Sequence, residues 1–199
     1  MTMFGIDELV SVLPPPAVPW SPFTEAAWLD LFATFGTRLP EDFVRFHATY
    51  GEGFLVSRSH PSTASISLYA GILPEVRPDR TSFRYQVPRR LIELRQAKSR
   101  RPRSIPQLFF EPSGLLPWGR ASNGVDLCWC TSGDLVDTWR TTVLHAGKGA
   151  HEAFDVSALE FFARVISGNI TCALLPPHFP GPKGAEFRQS IVAVSRGSA

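Results

Sequence analysis

Residues 114–134, GLLPWGRASNGVDLCWCTSGD, constrain the fold of this chain more than any other stretch. At its centre Asn123-Gly124 signals a hairpin, because both residue types tolerate positive φ. After the turn, Leu127-Cys128-Trp129-Cys130 alternates, with Leu127 and Trp129 on one side of a strand and the two cysteines on the other. The same stretch holds two of the three cysteines and two of the five tryptophans, so a metal site and a catalytic loop compete with the hairpin as explanations.

Upstream the hydrophobic period is helical. Trp28, Leu31, Phe32 and Phe35 recur at i, i+3, i+4 and i+7, with Ser21 as an N-cap, Pro22 at the first helical position and Gly36 as a stop. Leu39-Pro40-Glu41-Asp42 opens a second helix, carrying Phe43, Phe46, His47 and Tyr50 on its apolar side and ending at Gly51. Strand candidates follow at Phe54-Leu55-Val56 and at Ile66-Ser67-Leu68-Tyr69, then a third helix over 88–98 with Leu91, Ile92, Leu94 and Arg95. QLFFE at 107–111 and the β-rich run 138–144 predict further strands. Ser157 caps a final helix in which Glu160 completes a capping box and Leu159, Phe162, Val165 and Ile166 form the apolar face.

This order predicts an α+β domain, with one layer of helices on a mostly antiparallel sheet. The expected organisation is a Pro-rich lead segment at 1–20, a domain at 21–170 with a basic insertion at 77–103, and a Pro/Gly-rich tail at 171–199. The 44% hydrophobic content is enough for a core and excludes wholesale disorder. No apolar run approaches the roughly 20 residues that a bilayer requires, so no membrane partner is expected. The first residues carry Asp7 and Glu8 and no basic run, which is a poor export signal. The three cysteines then read as reduced thiols and the expected location is cytoplasmic.

The net charge of +2 conceals an asymmetry. Residues 77–103 hold ten basic side chains against Asp79 and Glu93, which makes that segment +8 and leaves the remainder at −6. Aromatics interleave with the run only at Phe83 and Tyr85, so a solvated loop and helix face is favoured over a nucleic-acid surface.

No reaction is specified. Cys128-x-Cys130 lies along a strand, only Cys172 remains as a third sulfur, and His145 and His151 lie six apart with no helix between them, so neither a metal nor a cofactor is expected. His151-Glu152-Ala153-Phe154-Asp155 has Asp where a zinc-protease motif needs its second His. Neither G-x-S-x-G nor a phosphate-binding loop occurs. His47 reads as a core histidine.

Taken together, Leu39-Pro40-Glu41-Asp42-Phe43-Val44-Arg45-Phe46 ending at Tyr50-Gly51-Glu52-Gly53 resembles the opening of the SUKH superfamily, the Smi/Knr-like domain. Leu115-Leu116-Pro117-Trp118-Gly119, then Asn123-Gly124, Asp126 and Trp129, resembles its central signature, with Val125 standing between Asn-Gly and Asp. Thr138-Trp139 with Val143, and Phe154 with Leu159-Glu160-Phe161-Phe162, resemble its later strand and closing helix. The resemblance runs from Trp28 to Gly168. It implies a non-catalytic, protein-binding α+β domain. The expected function is that of a bacterial immunity protein that neutralises a polymorphic toxin, such as a nuclease. The alternative is an intracellular scaffold or regulator of cell-wall assembly.

Leu39, Pro40, Phe43, Tyr50, Gly51, Pro117, Trp118, Gly119, Gly124, Trp129 and Phe162 then have structural roles. Glu41, Asp42, Arg120 and Asn123 are the candidate contacts with the partner, a cognate toxin domain.

Overall fold

The computed structural model describes residues 5–19, 24–69 and 83–190. Among them are five α-helices and a seven-stranded antiparallel sheet in the order β6-β5-β4-β3-β2-β1-β7. The chain has an α+β fold. The helices are α1 (Ile6–Val12), α2 (Glu25–Phe35), α3 (Glu41–Tyr50), α4 (Phe83–Arg100) and α5 (Ala158–Ile166). The strands are β1 (Gly53–Ser57), β2 (Ser65–Leu68), β3 (Leu115–Ala121), β4 (Asp126–Cys130), β5 (Arg140–His145), β6 (Ala150–Phe154) and β7 (Ala185–Gln189).

The expected hairpin is β3–β4, with Leu116 opposite Trp129 and Arg120 opposite Asp126. Only Gly124 takes the left-handed conformation, at φ 84°, and its N–H closes a turn on the Ala121 carbonyl at 2.9 Å. The connection is therefore a four-residue loop with glycine in the left-handed position rather than a tight two-residue turn. Leu116 stands opposite Trp129, so alternation puts Trp118 on the same side, their ring centroids 5.8 Å apart, and a register shift between Pro117 and Gly119 then turns Arg120 to the side of Asp126. Phe43 of α3 meets Trp129 edge-on at 4.8 Å, and Phe162 of α5 meets Trp118 edge-on at 5.3 Å. Such pairs contribute about 0.5–1.5 kcal/mol each beyond their buried area.

Helices α3 and α5 are each capped by a carboxylate from another element. Asp137, in a 3-10 turn at Val136–Thr138, accepts the Glu41 N–H at the start of α3 at 2.7 Å. Asp42 accepts the Leu159 N–H at the start of α5 at 3.2 Å. Each carboxylate thus satisfies a donor on another element, at the positive end of a helix dipole.

Several expectations are corrected. The single helical layer is incomplete: β3 and β4 are buried at almost every position, on both sides of the alternation. Asp126 alternates with Leu127, so it points away from the face carrying Trp129, α3 and α5, and Arg90 of α4 meets it there. Residues 83–100 are one long amphipathic helix: Arg90 reaches the sheet's second side, Phe83 packs on Phe43 and Trp129, and Arg84 and Arg89 stay on its solvated face. Its buried stripe is Phe83, Val87, Leu91 and Leu94, with Pro88 inside the helix and Ile92 facing solvent.

The lead segment is not loose either: Leu9 and Leu13 are fully buried, and the Tyr50 hydroxyl donates to the Leu13 carbonyl. The Pro/Gly composition hides β7, in which Phe187 lies opposite Leu55 and packs on Phe46 and Tyr50. Residues 107–111 form no strand beyond an isolated bridge from Leu108 to Leu115, because Phe110 turns the chain at φ 75°. Thr24 caps α2 through the Ala27 N–H, and the Ser21-Pro22 expectation lies outside the described residues. Pro40 occupies the N-cap of α3. The Glu160 carboxylate pairs with Arg164 at 2.5 Å, while Ser157 receives the Glu160 N–H as the cap requires.

Leu9→Ala and Phe187→Ala test both ends of the chain. Leu9→Ala is expected to destabilise the protein by about 2–5 kcal/mol and Phe187→Ala by a lesser amount, read as urea unfolding midpoints. A midpoint unchanged by Leu9→Ala would mean that α1 contributes nothing to the core.

Candidate functional site

Polar side chains converge on the α4-covered side of the sheet, where β2, β3 and α4 meet. At its base Arg90 grips Asp126 through two bonds: Nε to Oδ1 and Nη2 to Oδ2, both 2.7 Å. Its remaining nitrogen, Nη1, donates to Glu93 Oε2 at 2.6 Å, so the guanidinium bridges two carboxylates. Burial acts against the charge of Arg90, but the Asp126 hydrogen bonds outweigh it and the pKa rises above the usual guanidinium value. Asp126, wholly buried, is pushed up by desolvation while Arg90 pulls the other way. Glu93 is held low by its bond from Arg90. A two-pronged contact to an arginine that never deprotonates keeps Asp126 an acceptor.

Beside this pair lies a pocket of about 280 Å³, with Ser65, Ser67, Tyr69, Gln86, Arg120 and Ser122 in its wall. Register explains the convergence: Ser67 is opposite Arg120, and Arg120 is opposite Asp126, so all three share a face. Tyr69, two residues beyond Ser67, falls on the same side. Burial, reinforced by Asp126, raises its pKa, so its hydroxyl keeps its proton and remains a donor. Arg120 is held only loosely, with Nη1 4.0 Å from Glu93 Oε2.

A larger cleft of about 620 Å³ runs between the end of α5 and residues 168–181, reaching Asn123 and Lys148. Its wall is mainly apolar side chains and backbone, including Ile166, Leu174 and Phe179. The Cys172 thiol there is pushed up to about 11 by burial and stays protonated at neutral pH.

The four candidate contacts do not form one patch. Asp42 is buried and holds α5 in place, with burial raising its pKa against the bonds from Ser157 and Leu159. Glu41 stays near the surface and pairs with Arg45 at 3.2 Å. Asn123 donates to the Leu174 carbonyl at 2.8 Å, tying the hairpin tip to the 168–181 segment. Of the four, Arg120 lines the polar pocket. Glu41 and Asp42 lie by Asp137, at the opposite end of β4 from Asn123 and Arg120.

The basic run is largely absorbed by the fold. Arg84 pairs with Asp30 at 2.6 Å and Arg89 with Glu93 at 3.3 Å. Arg95 donates to the Phe109 carbonyl at 2.8 Å, Lys98 bonds Gln107, and Arg101 donates to the Gly147 carbonyl. Arg77 and Arg80 lie outside the described residues.

The remaining candidate ligands are dispersed. Cys128 is fully buried with a strongly raised pKa, and among the described residues no three His, Cys, Asp or Glu side chains come together as a metal would need. His47 is also buried, against Phe43 and Phe46, and its Nδ1–H donates to the Gly51 carbonyl at 3.3 Å.

Sequence reasoning missed Tyr69, Gln86 and the Arg90–Asp126 pair. Tyr69 and Gln86 carry no local signal, because the pocket exists only once α4 lies across the sheet. A charged residue next to the apolar Leu127-Cys128-Trp129 run was the available clue to Asp126. No family model, curated protein or solved structure matches the chain.

Two stability measurements follow from this geometry. Arg90→Gln leaves a buried carboxylate unpaired and is expected to cost about 3–5 kcal/mol in urea unfolding, whereas the exposed Arg89→Gln shifts stability by no more than about 0.5 kcal/mol. Equal, small effects would show that the pair is dispensable.

For His47, burial lowers the pKa from 6.5 to about 4, against the opposing Gly51 bond. The unfolded chain therefore binds a proton first as pH falls. The stability contributed is complete above pH 6.5 and declines by roughly 1.4 kcal/mol per pH unit towards 4. Unfolding midpoints at two pH values, one on each side of 6.5, should fall more steeply for the wild type than for His47→Gln; parallel slopes would contradict the assignment.

Proposed function

We propose that this chain is a non-catalytic protein-binding domain of the immunity type, which binds and neutralises the toxin domain of a polymorphic toxin system. The observation that carries the reading is where the signature aromatics go. Phe43, Trp118, Trp129 and Phe162 come from two separate motifs and the closing helix, yet pack into one buried cluster. The motifs that resemble the Smi/Knr-like family therefore act as a core and make a rigid platform.

The polar groups nearest that platform have fold-holding work: Arg90 with Asp126, Asp42 at α5, and Asp137 at α3. A pre-organised surface of this kind suits binding, since little conformational freedom is lost on association. Most of the described cations in the 77–103 run bond within the chain, Arg84, Arg90 and Lys98 to carboxylates outside it, so the run is tied to the fold rather than held out as a free basic arm.

Co-expression supplies the test. A toxin domain encoded beside this gene should stop growth alone and lose that effect when this chain is present, and the two should elute together from a sizing column. Growth arrest that persists, with the chain folded and abundant, would refute the immunity reading. Recovery of cell-wall-assembly proteins in its place would favour a regulatory scaffold.

A further inference from the structure

The pocket of about 280 Å³ beside α4 has an unusual balance of hydrogen-bonding groups. The Ser67 hydroxyl, the Tyr69 hydroxyl and the Gln86 amide all line it, and none makes a side-chain hydrogen bond among the described residues. Arg120 adds a guanidinium whose nearest carboxylate is at 4.0 Å, beyond hydrogen-bonding distance. The acceptors next to the pocket are in a different condition. Both oxygens of Asp126 are held by Arg90, and Glu93 takes the third nitrogen of the same guanidinium. Donors with capacity thus face the cavity, while the adjacent acceptors are already engaged.

Charge decides what fits. Arg89, Arg90 and Arg120 stand against Asp126 and Glu93, an excess of one positive charge, and Arg120 is the cation without a close partner. A single negative charge matches it. A phosphate dianion would bring a second charge towards Glu93, which already approaches Arg120. The volume accommodates a short side chain rather than a nucleotide. Planar carboxylates are also the group that a guanidinium fork grips best when neutral donors complete the shell.

We infer that this pocket receives an aspartate or glutamate side chain of the protein partner, with Arg120 gripping the carboxylate and the Ser67, Tyr69 and Gln86 side chains donating to it. This rests on the protein-binding reading above and gives it a specific anchor point. The partner then carries at least one exposed acidic residue at its contact face, whatever its overall charge. Arg120 sets affinity for that residue and takes no part in holding the fold.

The test uses the full chain labelled with ¹⁵N. Sodium acetate is titrated while the Arg120 Nε–H and Gln86 side-chain amide resonances are followed, with sodium chloride at matched ionic strength and inorganic phosphate as comparisons. A saturable shift with acetate, absent with chloride, is expected. Arg120→Gln should weaken it at least tenfold with an unchanged thermal midpoint. Tyr69→Phe, which removes one donor and keeps the ring, should weaken it about fivefold. Responses to acetate and chloride that match, or phosphate binding tighter than acetate, would overturn the carboxylate assignment.

A second arm separates this inference from its premise. If the wild type rescues cells from the toxin and Arg120→Gln binds that toxin equally well, the pocket is not the anchor and the protein-binding reading still stands. If the wild type rescues nothing, the premise fails, whatever acetate does. Rescue by the wild type together with at least a tenfold loss of toxin affinity in Arg120→Gln supports both.

Discussion

A carboxylate with no exposed surface begins the central hairpin's second strand, and the position of α4 depends on how that charge is accommodated. Asp126 has no water to solvate it, and an isolated buried carboxylate would cost several kcal/mol. Arg90 meets it with two parallel bonds and is itself steadied by Glu93, one turn further along the same helix. The arrangement fixes both the depth and the rotation of α4. With α4 so placed, its buried stripe runs from Phe83, which reaches Phe43 and Trp129 of the aromatic cluster, to Leu94.

The two sides of β3 and β4 consequently have different characters. One is a close-packed aromatic layer, where Trp118 and Trp129 interlock with Phe43 and Phe162 and where large rings supply most of the buried area. The other carries the Arg90–Asp126 ion pair and, at its margin, a pocket rich in donors. Packing density makes the first side rigid and leaves no room for a ligand. Function, as proposed here, belongs to the second side and its rim, where polar groups are ordered by the fold without being exhausted by it.

The outer elements follow the same logic of completing burial. α1 supplies Leu9 and Leu13 beside Tyr50, and β7 supplies Phe187 against Phe46. Both arise from segments whose proline and glycine content suggested loose ends. Composition misled there because a short helix or a five-residue strand requires only one or two apolar residues at the correct spacing. Such a signal is too small to stand out from its neighbours. The basic run misled for the opposite reason. Its cations are conspicuous in the sequence, yet Arg84, Arg89, Arg95, Lys98 and Arg101 each have a partner brought close by the fold.

By itself the sequence determined the local geometry: the helical periods that became α2, α3 and α5, the glycine turn of the β3–β4 hairpin, and the alternation of Trp129 with Cys128. These depend on neighbours within a few residues, so their periodicity is written directly in the chain. Tertiary structure alone decided that Asp42 would cap another helix instead of facing a partner. It also decided that α4 would cross the sheet, and that Ser67, Tyr69, Gln86 and Arg120 would share one pocket. Those outcomes join residues up to 117 positions apart, as Asp42 and Leu159 are. No local pattern encodes such a pairing, because it is selected by the joint requirement that every buried charge and donor find a partner when the whole core closes.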